Sequence, residues 1–105
     1  MAALTQSQIS QELALVPEWK LKGRNIIREF AFRDFVEAMA FVNGIAEIAE
    51  KNAHHPDIDI RWNKVLLALS SHDAGGITGQ DFHVASAIDE VFSKSLESPG
   101  KMGNQ

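Results

Sequence analysis

Apolar residues recur at helical spacing in three segments of the chain. The first covers residues 5–16 and ends before Pro17, which cannot continue a helix. The second covers 34–52, and the third runs from about 79 to 96 after the sequence Thr78-x-x-Asp81, which is typical of a capping box. The pattern therefore predicts three helices, with the longest in the middle of the chain.

Between these helices the apolar residues alternate with polar ones, as they do in strands. Each alternating stretch is interrupted by turn-forming residues, so each predicts a β-hairpin. The predicted strands are 19–21, 26–32, 58–62 and 65–70, with turns at 23–25 and 63–64. The order αββαββα predicts an α+β fold with two layers, in which three helices pack on one face of a four-stranded antiparallel sheet. We expect one domain over residues 1–105, ordered at about 4–97, with a flexible tail at 98–105.

The central helix carries more apolar surface than one sheet face readily buries. One stripe contains Phe35, Ala38, Met39, Val42, Ala46 and Ala49, and a second contains Phe41, Ile45 and Ile48. Since a single sheet covers one side of a helix, we expect the other side to face a second subunit.

Composition excludes several classes of protein. The chain has no cysteine, which excludes disulfide bonds, thiolate zinc sites and a cysteine nucleophile. Its net charge is −4 and its basic residues are scattered, which disfavours direct binding to nucleic acid. We find no stretch of about 20 apolar residues and no signal peptide, so we expect a cytoplasmic protein without a membrane span.

The candidate chemistry lies in one 32-residue stretch that holds three of the four histidines. Imidazole exchanges protons near physiological pH, so histidines grouped with acids indicate either proton transfer or a metal site. Pro56 ends the central helix, and adjacent rings that point apart in regular structure can approach one site in irregular backbone. The grouped residues are Glu50, His54, His55, Pro56, Trp62, His72 and Asp81.

Simpler roles and other chemistries remain open for these residues. A metal site completed by Asp57 or Asp59 is disfavoured because no two histidines have the spacing of compact metal motifs. Ser70 and Ser71 precede His72, but without a G-x-S-x-G sequence they do not indicate a hydrolase. Trp62 is also compatible with the core, and Asp81 with a helix cap.

Together these residues resemble the pterin-4a-carbinolamine dehydratase family. That family's pattern is an acidic residue, three residues, His-His-Pro, a short gap, an aromatic residue, nine residues, a histidine, and an aspartate after a further gap. Every element of the pattern is present, and the resemblance covers roughly residues 19–91. Familial sequence also flanks the motif at Phe30-x-Phe32-x-Asp34-Phe35, Trp62-Asn63-Lys64-Val65 and Leu69-Ser70-Ser71-His72.

The resemblance implies a reaction and roles for the residues of the motif. The reaction is loss of water from 4a-hydroxytetrahydropterin, which gives quinonoid dihydropterin without a metal or other cofactor and recycles a tetrahydrobiopterin-type cofactor. His54 and His72 are expected to transfer protons, while His55 completes the catalytic set and mainly holds the substrate. Glu50 is expected to orient His54, and Asp81 to tune His72 or the pocket.

The resemblance also implies a set of substrate-binding residues. Trp62 is expected to form a wall of the pocket, with Ser70, Ser71 and Asp73 near the pterin. Ala53 stands where other members have an aspartate. A backbone contact to substrate at Ala53 survives this difference, whereas a side-chain contact does not.

Family members also suggest partners. Some dimerise by extending the sheet and tetramerise through helices, so we expect a homodimer or homotetramer. An aromatic amino-acid hydroxylase is one candidate source of substrate, which the sequence leaves open. The alternative function is an interaction protein, in which the stripe of Phe41, Ile45 and Ile48 binds a partner's dimerisation helix as a transcriptional coactivator does.

Overall fold

The computed structural model describes residues 2–97, so the predicted tail at 98–105 lies outside the described residues. The helices are α1 (Gln6–Leu13), α2 (Phe35–Asn52) and α3 (Gly79–Glu97), and the strands are β1 (Lys20–Lys22), β2 (Asn25–Ala31), β3 (Asp57–Arg61) and β4 (Lys64–Leu69). One turn of 3-10 helix, His72–Ala74, lies between β4 and α3. The predicted order αββαββα is confirmed.

The four strands form one open antiparallel sheet in the order β1-β2-β4-β3. The two hairpins therefore meet along β2 and β4, where Ile26 pairs with Leu69 and Phe30 with Val65. The short strand β1 and the strand β3 form the two edges. The start of β3 and the end of β4 therefore lie side by side at one end of the sheet. Most of the candidate residues flank these two positions.

Side-chain caps explain where the first two helices begin. The backbone N–H of Thr5 donates to the Gln8 side-chain oxygen at 2.9 Å, and the backbone N–H of Gln8 donates to the Thr5 hydroxyl at 3.1 Å. These two bonds form a complete capping box. Asp34 accepts from the backbone N–H of Glu37, but the Glu37 carboxylate accepts from Arg33 rather than from Asp34. Asp34 therefore caps α2 through one hydrogen bond, without the reciprocal bond of a complete capping box.

Helix α1 is shorter than predicted and ends at Leu13 instead of Val16. The backbone N–H groups of Leu15 and Val16 bond to carbonyls three residues earlier, so the chain tightens into turns before Pro17. Val16 is nevertheless buried and contributes to the core.

The core lies between the sheet and the helices α2 and α3. Its buried members from the strands are Ile26, Phe30, Val65, Leu67 and Leu69, and those from the two helices are Ala38, Phe41, Ile45, Phe82, Val84, Ala85 and Ile88. The stripe of Phe41, Ile45 and Ile48 therefore packs inside the subunit. The alternative in which this stripe binds a partner's helix loses support, because Phe41 and Ile45 are 5% and 0% exposed.

The edge strand β3 also differs from expectation. Alternation of apolar and polar residues is typical of a half-buried strand, but every residue of β3 is exposed. Ile58 and Ile60 lie opposite the buried Leu67 and Val65 of β4, on the helix-covered face, yet they remain 39% and 37% exposed. The turn that follows is Trp62-Asn63, one residue earlier than predicted.

Among the described residues, no helix is both long and apolar enough to cross a membrane.

Candidate active site

The end of helix α2 sets the directions of the two adjacent histidines. Ala53 adopts the left-handed conformation, with φ 50° and ψ 41°, and its N–H bonds to the carbonyls of Ala49 and Glu50. His54 then donates its backbone N–H to Ala49, and the buried Pro56 prevents further helix. Because the left-handed residue reverses the chain, the His54 ring is 13% exposed, whereas the His55 ring is 60% exposed.

His54 is held by a buried carboxylate. Its Nε2 lies 2.5 Å from Oδ1 of Asp81, whose side chain is 0% exposed. The other oxygen of Asp81 accepts from the Ser71 hydroxyl and from the Thr78 backbone N–H, both at 2.9 Å. Asp81 lies in the first turn of α3, where the helix dipole favours a negative charge. A carboxylate that already accepts from these donors has no proton to give, so we assign Nε2 of His54 as the donor in this contact; Nδ1 has no hydrogen-bonding partner among the described residues.

His55 has its own carboxylate. Its Nε2 lies 2.6 Å from Oε2 of Glu50, and this side chain is 78% exposed. Our expectation that Glu50 orients His54 is therefore wrong. Of the two roles expected for Asp81, the contact with His54 agrees with a role in the pocket and not with one on His72. The two acids instead serve the two adjacent histidines, with the buried acid on His54 and the exposed acid on His55.

His72 lies at the tip of a tight loop that follows β4. Ser71 and Gly76 exchange backbone hydrogen bonds at 2.9 and 3.3 Å, and Gly75 closes the loop with φ 74°. A left-handed residue at this point favours glycine. The loop holds the His72 backbone, while its side chain is exposed and has no hydrogen-bonding side-chain partner among the residues that the structure describes.

These elements surround one open pocket of about 400 Å³. All three predicted histidines line it, and they come from segments that are 17 residues apart along the chain. Of the predicted binding residues, Ala53, Ser70, Ser71 and Asp73 also line it. The remaining lining residues, which were not predicted, are Ala74, Thr78 and Gln80. Two of the predicted acids lie just outside the lining, Asp81 behind His54 and Glu50 beside His55.

Thr78 and Gln80 were missed because their contacts are not local. The capping signal identified Thr78 only as a helix start, but its hydroxyl lies 2.8 Å from the Ser71 hydroxyl. The Gln80 amide donates to the backbone carbonyl of Asn52, the last residue of α2, at 2.9 Å. This bond connects the end of α2 to the start of α3 across the pocket.

Trp62 does not line the pocket of its own subunit. It follows β3, whereas His55 precedes this strand, so roughly 20 Å separates the two residues at the usual rise of a strand. Our prediction that Trp62 forms a wall is therefore wrong within one subunit. The Trp62 side chain is instead 68% exposed to solvent.

Within residues 2–97, no group of three or more histidine, aspartate or glutamate side chains is placed to hold a metal ion. The nitrogens Nε2 of His54 and His55 already face carboxylates at hydrogen-bonding distance.

The sequence matches known proteins over most of its length. A family model described as pterin 4 alpha carbinolamine dehydratase matches residues 2–91. A relative from Acidobacterium capsulatum is 55% identical over 92 residues, which are 88% of this chain and 100% of the relative. One from Chloroflexus aurantiacus is 50% identical over 92 residues, which are 88% of this chain and 99% of the relative. Both carry the name "Putative pterin-4-alpha-carbinolamine dehydratase".

Two solved structures have the same fold. A transcriptional coactivator/pterin dehydratase from Brucella melitensis is 33% identical and superposes with a TM-score of 0.81, covering 85% of this chain and 97% of that one. A pterin dehydratase-like protein, a RuBisCO assembly factor in the alpha-carboxysome, is 22% identical with a TM-score of 0.57, covering 69% and 83% of the two chains. At that identity the second likeness concerns the fold alone.

Proposed function

The chain belongs to the pterin 4 alpha carbinolamine dehydratase family, and we propose that it removes water from a 4a-hydroxytetrahydropterin by general acid–base catalysis with histidine. The observation that carries this proposal is the convergence of His54, His55 and His72 on one open pocket. A volume of about 400 Å³ falls within the usual range for small-molecule sites.

The chemistry needs two proton transfers. The bond between C4a and its hydroxyl oxygen breaks, and that oxygen takes a proton and leaves as water. A ring N–H gives up its proton, and the electron pair of this nitrogen replaces the lost bond, giving the quinonoid dihydropterin. Positioned acid and base groups typically contribute about 10²–10⁴-fold to such a reaction. The balance of atoms calls for no oxidant, and we propose that no metal takes part.

We assign His54 as the base. With Nε2 bonded to Asp81, neutral His54 presents the lone pair of Nδ1, and the buried carboxylate stabilises the imidazolium that forms when Nδ1 takes a proton. Asp81 is thus a positioning residue. Ser71 and Thr78 position it in turn through their bonds to its second oxygen.

We assign His72 as the acid and His55 as a substrate-holding residue. Within the part of the chain that the structure describes, the exposed His72 ring has no side-chain hydrogen-bonding partner, so it is free to face the leaving hydroxyl across the pocket. His55 pairs with Glu50 at the open side of the pocket, where it is placed to hold an incoming ring. Ser70 and Asp73 lie on the His72 side and complete the polar lining.

The experiment is stopped-flow measurement of the dehydration of enzymatically generated 4a-hydroxytetrahydropterin. We expect the His54→Ala and His72→Ala variants each to lose about 10²–10⁴-fold in kcat while keeping their circular dichroism. His83→Ala is the matched control, because His83 is exposed on α3 and lies outside this pocket. Wild-type rates in both pocket variants, or no catalysis by the wild-type protein, refute the proposal. Activity lost on dialysis against EDTA and recovered with a divalent metal refutes the metal-free mechanism.

The oligomer, the pathway and the location are further parts of the proposal. We propose that the protein assembles at least as a homodimer through the exposed edge strand β3, whose unpaired backbone is suited to extending the sheet. We propose that the substrate is supplied by an enzyme that hydroxylates an aromatic amino acid. The cytoplasmic location stays a prediction. The coactivator alternative depended on an accessible stripe on α2, and Phe41 and Ile45 of that stripe are buried within the subunit.

A further inference from the structure

Trp62 combines an unusual backbone conformation with unusual exposure. Its φ is 52°, which the first central residue of the two-residue turn between β3 and β4 adopts, and which typically costs a bulky residue about 1–3 kcal/mol. Its side chain is 68% exposed, so no packing inside the subunit compensates this cost. A strained, exposed aromatic residue that follows an exposed edge strand indicates a contact outside the subunit.

The edge of β3 is suited to a second copy of itself. Arg61 and Lys64 flank the two-residue turn and face each other, so their backbone groups pair across the hairpin. Alternation along the strand then points the backbone groups of Ile58 and Ile60 away from β4, toward the open edge. Their side chains, 39% and 37% exposed, add an apolar strip along that edge.

Charge selects the register of a symmetric antiparallel pair. Arg61 contacts Asp59 of its own chain at 3.0 Å, and with Ile60 on the twofold axis Asp59 of each strand also lies opposite Arg61 of the other. With Asp59 on the axis, its carboxylate faces its own copy. With Ile58 on the axis, Asp57 faces Asp59. Only the register centred on Ile60 therefore pairs every facing charge within the strand with an opposite one.

That register brings Trp62 of one copy beside the pocket of the other. Trp62 falls opposite Ile58, which is two residues, or roughly 7 Å, from Pro56 and next to the segment that carries His55. At this end of the pocket the side chain of His55 is 60% exposed, and that of Glu50 beside it is 78% exposed.

We propose that Trp62 of the partner subunit closes the pocket by covering its open side at His55, so that each complete site contains residues of two chains. The proposal rests on the dehydratase function, because the ring covered is the pterin. A flat aromatic side chain is suited to stack on a flat heterocycle, and such a contact commonly changes affinity by about tenfold. The strain at Trp62 is then offset in the dimer by contacts that a single subunit lacks.

The interface is tested by exchanging charges and measuring mass by light scattering after gel filtration. We expect Arg61→Asp to halve the assembly mass, because Asp59 then faces an aspartate. The double variant Asp59→Arg, Arg61→Asp should restore the mass. Leu15→Ala is the matched control, since Leu15 is 75% exposed but lies away from this edge. A wild-type protein that is monomeric, or an Arg61→Asp variant that keeps the wild-type mass, overturns the proposal.

The role of Trp62 in trans is tested by mixing two defective chains. We expect Trp62→Ala to raise the KM of the dehydration about tenfold, and His54→Ala to lack activity. In a purified heterodimer, the chain with intact His54 receives Trp62 from the other chain, so the KM should return to the wild-type value. A KM that stays at the Trp62→Ala value in the heterodimer, or that Trp62→Ala does not raise, overturns the proposal. Trp62→Gly provides a second variant that removes the ring and relieves the positive φ.

A readout without substrate separates this proposal from the dehydratase function. The chain has two tryptophans, and Trp19 is 2% exposed, so acrylamide quenching reports mainly on Trp62. We expect wild-type protein to be quenched at least twofold less than the Arg61→Asp monomer. Equal quenching overturns the interface, whatever the activity. If Trp62 is protected from acrylamide but the protein has no dehydratase activity, the proposed function is refuted and the proposed interface is still supported.

Discussion

Asp81 and His54 form a dyad in which a fully buried carboxylate holds the ring of a histidine from a segment 27 residues away, at 2.5 Å. We expect Asp81→Asn to lower kcat by about 10–100-fold, because an amide neither fixes the tautomer of His54 nor stabilises its protonated form. Stopped-flow turnover measures the effect. Since the two residues act as a unit, the double variant with His54→Ala should be no slower than His54→Ala alone. Additive losses would show that Asp81 acts through another group.

The exposed pair of His55 and Glu50 should affect substrate binding more than turnover. We expect His55→Ala to raise KM about tenfold with kcat nearly unchanged, because the ring lines the pocket without a buried carboxylate behind it. Glu50→Gln should have a smaller effect in the same direction, since the pair is screened by solvent. Steady-state kinetics at varied pterin concentration separates the two constants. An unchanged KM in His55→Ala would refute the holding role.

Ala53 occupies a left-handed conformation that favours glycine. We expect Ala53→Gly to stabilise the fold by about 0.5–1 kcal/mol, because the relief of the strained φ exceeds the entropy lost with a more flexible unfolded chain. Urea unfolding followed by circular dichroism measures the change. Ala46→Gly is the control, because Ala46 is exposed within the regular part of α2, where glycine should destabilise by a similar amount. Destabilisation by both substitutions would show that the φ of Ala53 is not strained.

A partly buried ion pair whose residues do not line the pocket also supports the fold. Asp89 accepts from Arg28 at 2.7 Å and from the indole N–H of Trp19 at 2.8 Å, and the Arg28 guanidinium also lies over the Phe30 ring. We expect Arg28→Ala to destabilise the protein by about 2–4 kcal/mol, because it leaves a largely buried carboxylate with one donor.

Thermal and urea unfolding of Arg28→Ala test this role. The matched control is Arg33→Ala, whose side chain is 79% exposed and pairs with Glu37 at the surface, where such pairs contribute about 0–1 kcal/mol. Equal losses in the two variants would contradict a structural role for the buried pair.

Periodicity was sufficient to predict the elements and their order, because each helix and strand has its own apolar spacing and most have a recognisable start. It did not predict the exposure of β3. Alternation in Ile58, Asp59 and Ile60 shows which side chains share a face, but it does not show whether another layer covers that face. The edge position of β3 follows from pairing between distant strands.

The pairs of acids and histidines illustrate a second limit. Spacing of four residues suggested that Glu50 contacts His54, which requires the helix to continue through both. The positive φ of Ala53 ends the helix first, so Glu50 faces His55 instead. Asp81 was recognised as a helix-start residue and a motif element, but its partner depends on how α2 and α3 meet, which local sequence does not encode.

The hydrogen bonds of Asp81 have a consequence for how a ligand is received. Ser71, Thr78 and His54 already occupy the carboxylate, and no buried side-chain nitrogen or oxygen of the described residues lacks a partner. These side chains therefore have their positions fixed before a ligand binds. An entering ring displaces solvent from the histidine rings without rearranging Asp81 and the residues that hold it. Structures with the pocket empty and filled should then superpose closely at these residues, with the differences confined to the outer rim.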